Sequence, residues 1–133
     1  MIVIDSSAWI EFLRGTGSPV ALRVRALLRD PSELALVGTV ALELLCGATN
    51  PRELEAVRQL TKAIPVLAVD ERADYESAAD IYRAARAIGR PVRKVNDCLI
   101  AAVVLRHGAS LVHRDADFTA IAEVVPLRHE FCR

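Results

Sequence analysis

Short apolar runs and helix-like stretches alternate along this chain, and that alternation limits the folds open to it more than any other feature. The runs are MIVID, LALVG, VLAV, ASLVH and a shorter VVPL. They read as short apolar strands. The segments between them carry helix signals. SSAWIEFLR has Ser6 or Ser7 to cap it, and SPVALRVRALLRD opens on Ser18 with Pro19 at the first helical position. TVALELLCG ends on Gly47, and NPRELEAVRQLTKA opens with Asn50, Pro51 and Glu53 in a capping-box order. A long helix is predicted from about Glu71 to Ile88, stopped by GRP. NDCLIAAVVLRHG follows, apolar nearly all round and therefore buried, with Asn96 as its cap. Strands alternating with helices predict an α/β fold with a mostly parallel central sheet. The 133 residues show no repeat, linker or low-complexity segment, so a single domain over 1–133 is expected.

In open parallel sheets, ligands collect beyond the carboxyl ends of the strands. Asp5 ends the first strand, and Asp115 and Asp117 follow ASLVH directly. Asp97 opens the buried helix, and Glu43 lies about a turn into the helix after the second strand. A parallel sheet therefore brings all five to one edge. Taken singly, Asp5, Asp97 and the Asp115–Asp117 pair have ordinary explanations as helix caps, dipole partners or turn residues. Glu43 is harder to explain that way. Its neighbours Val40, Ala41, Leu42, Leu44, Leu45 and Cys46 leave it no polar face, and a carboxylate among apolar side chains calls for a compensating cation. Clustered carboxylates also raise one another's pKa unless a cation neutralises them. An all-oxygen donor set suits a hard ion, Mg²⁺ or Mn²⁺, whereas the three cysteines and His107, His113 and His129 form no zinc pattern. Such an ion serves phosphoryl transfer, activating water and clamping phosphate.

Seventeen basic and seventeen acidic residues leave no net charge, which excludes nucleic-acid binding by overall charge alone. All the cations except Lys62 and Lys94 are arginine, the side chain whose planar fork fits phosphate, although a genomic bias gives the same composition. Arg83, Arg86, Arg90, Arg93 and Lys94 lead up to Asp97, either as an exposed helix face and loop or as a phosphate-contacting rim. The hydrophobic share of 53% exceeds what one core needs, and the surplus points to a subunit or partner interface. The longest apolar stretch, Cys98 to Leu105, is too short to cross a bilayer, and the N-terminus has no signal-peptide pattern. Three cysteines without ligand spacing fit a reduced, cytoplasmic setting.

Taken in order, VIDSSAWIE, ALELLCG and NDCLIAAVVLRHGASLVHRDADF resemble a PIN-domain ribonuclease, and more narrowly the VapC-type toxins of type II toxin–antitoxin pairs. The resemblance spans essentially the whole chain. It implies a PIN-like α/β/α sandwich and an acid-lined site holding Mg²⁺ or Mn²⁺. Asp5 matches the strand-one acid, Glu43 the second-helix acid, Asp97 the acid of the ND motif, and Asp115 and Asp117 the final pair. Which of that pair touches metal directly and which acts through water stays open, as does the number of ions. Ser6 or Ser7 matches the hydroxyl residue after the first acid, and Arg83 and Arg86 stand where basic residues precede the ND motif. His113 departs from the pattern, occupying a place more usual for Thr, Ser or Asn. The resemblance further implies endonucleolytic cleavage of structured RNA such as tRNA or rRNA, a homodimer, and an antitoxin protein whose tail lies in the active cleft.

Two other functions are compatible with the residues. A haloacid-dehalogenase-like phosphatase also places an acid after strand one, but it needs a second Asp where Ser7 stands. A catalytically inactive RNA- or partner-binding α/β module is the main alternative, and the complete acid set speaks against it.

Overall fold

The computed structural model describes residues 1–132. Five strands form one sheet: β1 (Ile2–Ile4), β2 (Leu34–Val37), β3 (Val66–Leu67), β4 (Ser110–His113) and β5 (His129–Phe131). Their order is β3-β2-β1-β4-β5, and every pairing is parallel. Val3, Ile4, Leu36, Val37, Leu111 and Val112 are buried, as expected of strands covered on both faces. The helices are α1 (Ser6–Leu13), α2 (Pro19–Leu28), α3 (Gly38–Gly47), α4 (Pro51–Ala63), α5 (Ala73–Ala87), α6 (Val95–Arg106) and α7 (Ala116–Ile121). One group, α1 to α4, packs together, and α5 to α7 form a second group, which makes the α/β/α arrangement. α6 is buried on nearly all sides, through Cys98, Ile100, Ala101, Ala102, Val103 and Val104. No helix among the described residues is long and apolar enough to cross a membrane.

The chain winds outward from β1 to β2 and β3, then crosses back to lay β4 on the other side of β1. The direction of winding thus reverses between β1 and β4, and such a switch point opens a crevice at the strands' carboxyl ends. A charged clamp fixes the far end of α6. Arg106 donates from Nε to Asp74 Oδ1 at 2.8 Å and from Nη2 to Asp74 Oδ2 at 3.0 Å, joining α6 to the buried start of α5.

Several boundaries differ from the expectation. Asp5, and neither serine, caps α1: its Oδ2 accepts from Ser7 N at 3.0 Å. α6 starts at Val95, so Asn96 sits inside its first turn and caps nothing. The last strand is His129–Phe131 and not VVPL; Val124 and Val125 turn back onto the Ile121 carbonyl, and Pro126 has no N–H to give a ladder. α3 is also less enclosed than its composition suggests, with Leu42 60% exposed and Cys46 exposed, so Glu43 is half-buried and not sunk among leucines.

Candidate metal centre

Each carboxylate is carried to the switch point by the element that precedes or follows it. Asp5 is held at the tip of β1 because its N–H donates to the Val112 carbonyl at 2.9 Å, continuing the ladder to β4. Its Oδ2 is taken by Ser7, through the backbone N–H and through Oγ at 2.6 Å. Its buried Oδ1 has no protein partner. Ser7 Oγ in turn accepts from Arg114 N at 3.0 Å, so one hydroxyl ties the tip of β1 to the tip of β4.

Glu43, on α3, is held between α1 and α6. Ser6 Oγ donates to its Oε2 and Asn96 Nδ2 to its Oε1, each at 2.9 Å. These bonds supply the compensation for which a cation alone was expected. Asp97 is buried in the first turn of α6, and its Oδ2 has no hydrogen-bond partner. Asp115 caps α7, accepting from Asp117 N at 2.9 Å, and Asp117 Oδ2 accepts from Lys94 N at 3.2 Å. One oxygen from each of Asp97, Asp115 and Asp117 lies within 4.8 Å of the others. Asp5 is near enough to feel the charge of Glu43, and Asp97 that of Asp5.

The electrostatics are those of a crowded acid site. Burial pushes Asp97 up to about 8, assisted by a hydrogen bond with Asp117. Burial also raises Asp5 against the hydrogen bonds from Ser7. Asp115 moves the other way. Burial works against its charge, but the Asp117 N–H, Lys94 and Arg93 together hold the carboxyl below its ordinary value. Neighbouring groups that pull apart in this way are typical of functional sites. The buried orphan oxygens of Asp5 and Asp97, with an all-carboxylate donor set, fit a hard divalent ion.

The structure explains His113. The ring is fully buried against Phe118, Phe131 and His129. Its Nδ1 accepts from Asp115 N at 3.1 Å, which leaves the proton on Nε2 to be donated to His129 Nδ1 at 2.9 Å. Burial and His129 press its pKa down to about 4, so the ring is a neutral acceptor that fixes the backbone of Asp115.

The PIN domain sequence profile matches residues 2–124 of the chain. The chain belongs to the PIN-domain family. Within that family it is similar to VapC proteins. It is 47% identical over 129 residues to ribonuclease VapC11 of Mycobacterium tuberculosis, and equally so to a VapC ribonuclease of Mycobacterium bovis, with 96% of each chain covered. Solved structures share the fold. VapBC-1 from nontypeable Haemophilus influenzae aligns with TM-score 0.74 at 24% identity, covering 98% of each chain. VapBC2 from Rickettsia felis, bound to a DNA fragment from its promoter, aligns with TM-score 0.72 at 16% identity over the full length of both chains.

The structure brings Asp97, Asp115 and Asp117 together and sets Asp5 near enough to interact with Asp97 and Glu43, while Glu43 stays outside the three-carboxylate cluster. Ser6 is buried with its hydroxyl given to Glu43. Arg83 and Arg86 are exposed on α5, Arg86 stacked over the Tyr82 ring, and neither makes an ion pair with the acids among the described residues. Three contributors were not identified as such from the sequence. In the sequence Asn96 reads as a cap, Ser7 as a cap or a family match, and Lys94 as one member of a basic run. Only the position of Asn96 beside Asp97 could have marked it.

Proposed function

We propose that this chain is a divalent-metal-dependent endoribonuclease toxin that cleaves structured RNA, tRNA or rRNA, and is neutralised by a small antitoxin protein. The observation that carries the proposal is the cluster of Asp97, Asp115 and Asp117, with Asp5 close enough to feel Glu43 and to act on Asp97, and with buried oxygens of Asp5 and Asp97 that have no hydrogen-bond partner. The VapC relatives are named as ribonucleases, and the VapBC neighbours support an antitoxin partner.

Asp97, Asp115 and Asp117, whose oxygens lie within 4.8 Å of one another, are proposed to hold the ion together with Asp5 and Glu43, directly or through water. A bound Mg²⁺ or Mn²⁺ supplies an acidified water and neutralises charge on the phosphodiester under attack. The chain's residues do the rest. Ser7 and His113 hold Asp5 and Asp115 in place, and Ser6 and Asn96 hold Glu43, so these four act through the acids. Arg93 and Lys94 at the mouth, with Arg83 and Arg86 on the outer face of α5, provide the cationic surface for RNA. An apolar groove lined by Tyr75, Ala78, Val95 and Leu99, where Tyr75 is 54% and Val95 63% exposed, supports a homodimer.

The test is to incubate the antitoxin-free protein with total cellular RNA in Mn²⁺ or Mg²⁺, then with EDTA, beside Asp97→Ala. Discrete fragments that disappear with EDTA and in the variant are expected. Folded protein that binds RNA in both metals without cutting it contradicts the enzyme and favours the binding module.

A further inference from the structure

Lys94 sits at the N-cap of α6 with its backbone N–H donated to Asp117 Oδ2 at 3.2 Å. Its main chain is therefore anchored to the acid site, while its side chain stays 51% exposed. The ammonium lies 3.0 Å from Asp115 Oδ2 and 3.9 Å from Asp97 Oδ2. Asp97 Oδ2 is the same oxygen that has no hydrogen-bond partner. Arg93, 75% exposed, approaches from the outer side, 3.4 Å from Asp115 Oδ1 and 3.5 Å from Asp117 Oδ1. The carboxylates to which a divalent ion is drawn are thus the ones the chain's own cations already engage.

The two kinds of cation cannot share these oxygens on equal terms. A divalent ion on Asp97 and Asp115 brings twice the charge of an ammonium and approaches more closely, so it wins the oxygens that Lys94 holds at 3.0 and 3.9 Å. The displaced ammonium keeps its anchored backbone and its open path to solvent. It then faces outward from the mouth of the crevice, where the phosphate backbone of a bound RNA would run.

We propose that Lys94 is a cationic latch on the acid site: it competes with the divalent ion for Asp97 and Asp115 and, once displaced, moves onto a substrate phosphate. The proposal rests on the nuclease function above. It makes Lys94 a residue with two alternative anionic partners, and metal binding is the event that exchanges them. Arg93 engages Asp115 and Asp117, and not Asp97, from a more exposed position.

The experiment is calorimetric titration of the full chain with Mn²⁺, comparing the native protein with Lys94→Met, which keeps the chain length without the charge, and with Lys94→Arg. Lys94→Met is expected to bind Mn²⁺ tighter by ~5- to 10-fold, the loss of one competing cation at partial exposure. Without added metal it is expected to melt at a lower temperature than the native protein, and Mn²⁺ is expected to close that gap. Lys94→Arg, retaining the charge, is expected to stay near the native Mn²⁺ affinity. In saturating Mn²⁺, the RNA KM of Lys94→Met should rise more than its kcat falls. Unchanged or weaker Mn²⁺ binding in folded Lys94→Met overturns the latch, as does a Lys94→Arg variant that behaves like Lys94→Met. The nuclease proposal fails differently, by native protein that binds Mn²⁺ through Asp97 yet cleaves no RNA. In that case the calorimetric result still decides whether Lys94 competes with the ion.

Discussion

Glu43 illustrates how a carboxylate is fixed in orientation beside other acids: both of its oxygens receive a side-chain donor, Ser6 on one side and Asn96 on the other. Asn96→Ala removes the donor that links α3 to α6 and leaves Glu43 free to turn from the crevice. Loss of such an orienting group around a metal site costs ~10- to 100-fold. We therefore expect RNA cleavage by Asn96→Ala to fall by that factor in kcat/KM, with the melting temperature nearly unchanged. Ser7 has the opposite balance. Its hydroxyl is bonded both to Asp5 Oδ2 and to Arg114 N, so Ser7→Ala loosens the two central strand tips together. It should lose about 1–2 kcal/mol of stability by urea unfolding as well as activity. The acids themselves were legible in the sequence, since each follows a strand or opens a helix. Their supporting residues were not. Serine and asparagine near helix starts are ordinary caps, and only the three-dimensional path shows that Ser6 and Ser7 leave the capping of α1 to Asp5 while Asn96, inside the first turn of α6, is free to reach Glu43.

At the scale of elements, the Arg106–Asp74 clamp decides how α5 and α6 stay together at their far ends. The hydrogen bonds from Arg106 outweigh burial and hold the Asp74 carboxyl below its usual value of 3.8. The unfolded chain takes up that proton more readily than the folded one. The clamp's contribution is therefore present above about pH 3.9 and is lost as the pH falls through that value and below it. Acid titration followed by circular dichroism should show Arg106→Ala less stable than the native protein at neutral pH, with the difference narrowing as the solution is acidified. Asp74→Asn combined with Arg106→Ala should recover part of the loss, because no buried charge is then left alone. The same scale shows where element boundaries can be read from sequence. Helices with strong start signals fall where expected: Ser18 Oγ accepts from Ala21 N, and Asn50 Oδ1 from Glu53 N at 2.8 Å. α6 starts without a side-chain cap, at Val95, ahead of the Asn96 that its sequence offers as a cap. β5 is not legible locally because its pairing depends on long-range bonds from β4, such as Leu111 N to the Arg128 carbonyl, and not on its own mixed sequence His129–Phe131.

For the whole molecule, the alternation of short strands and helices was enough to indicate a parallel α/β sheet. It could not give the order β3-β2-β1-β4-β5, which depends on how the crossovers pack. That order sets β1 beside β4 and so gathers acids from four separate stretches of chain at one crevice. The strength of the scaffold lies in the sheet and in α6, where a fully buried residue such as Ile100 has no exposed surface to relax into. Ile100→Ala is expected to cost about 2–5 kcal/mol, measured by urea denaturation. The central claim is that this crevice holds the divalent ion, and anomalous scattering from crystals grown with Mn²⁺ tests it most directly. The account predicts a manganese peak bounded by the carboxylates of Asp97 and Asp115, with the Lys94 ammonium moved away from both. A well-ordered crevice without a peak, Lys94 still paired to Asp115, or manganese bound only elsewhere on the molecule, would contradict it.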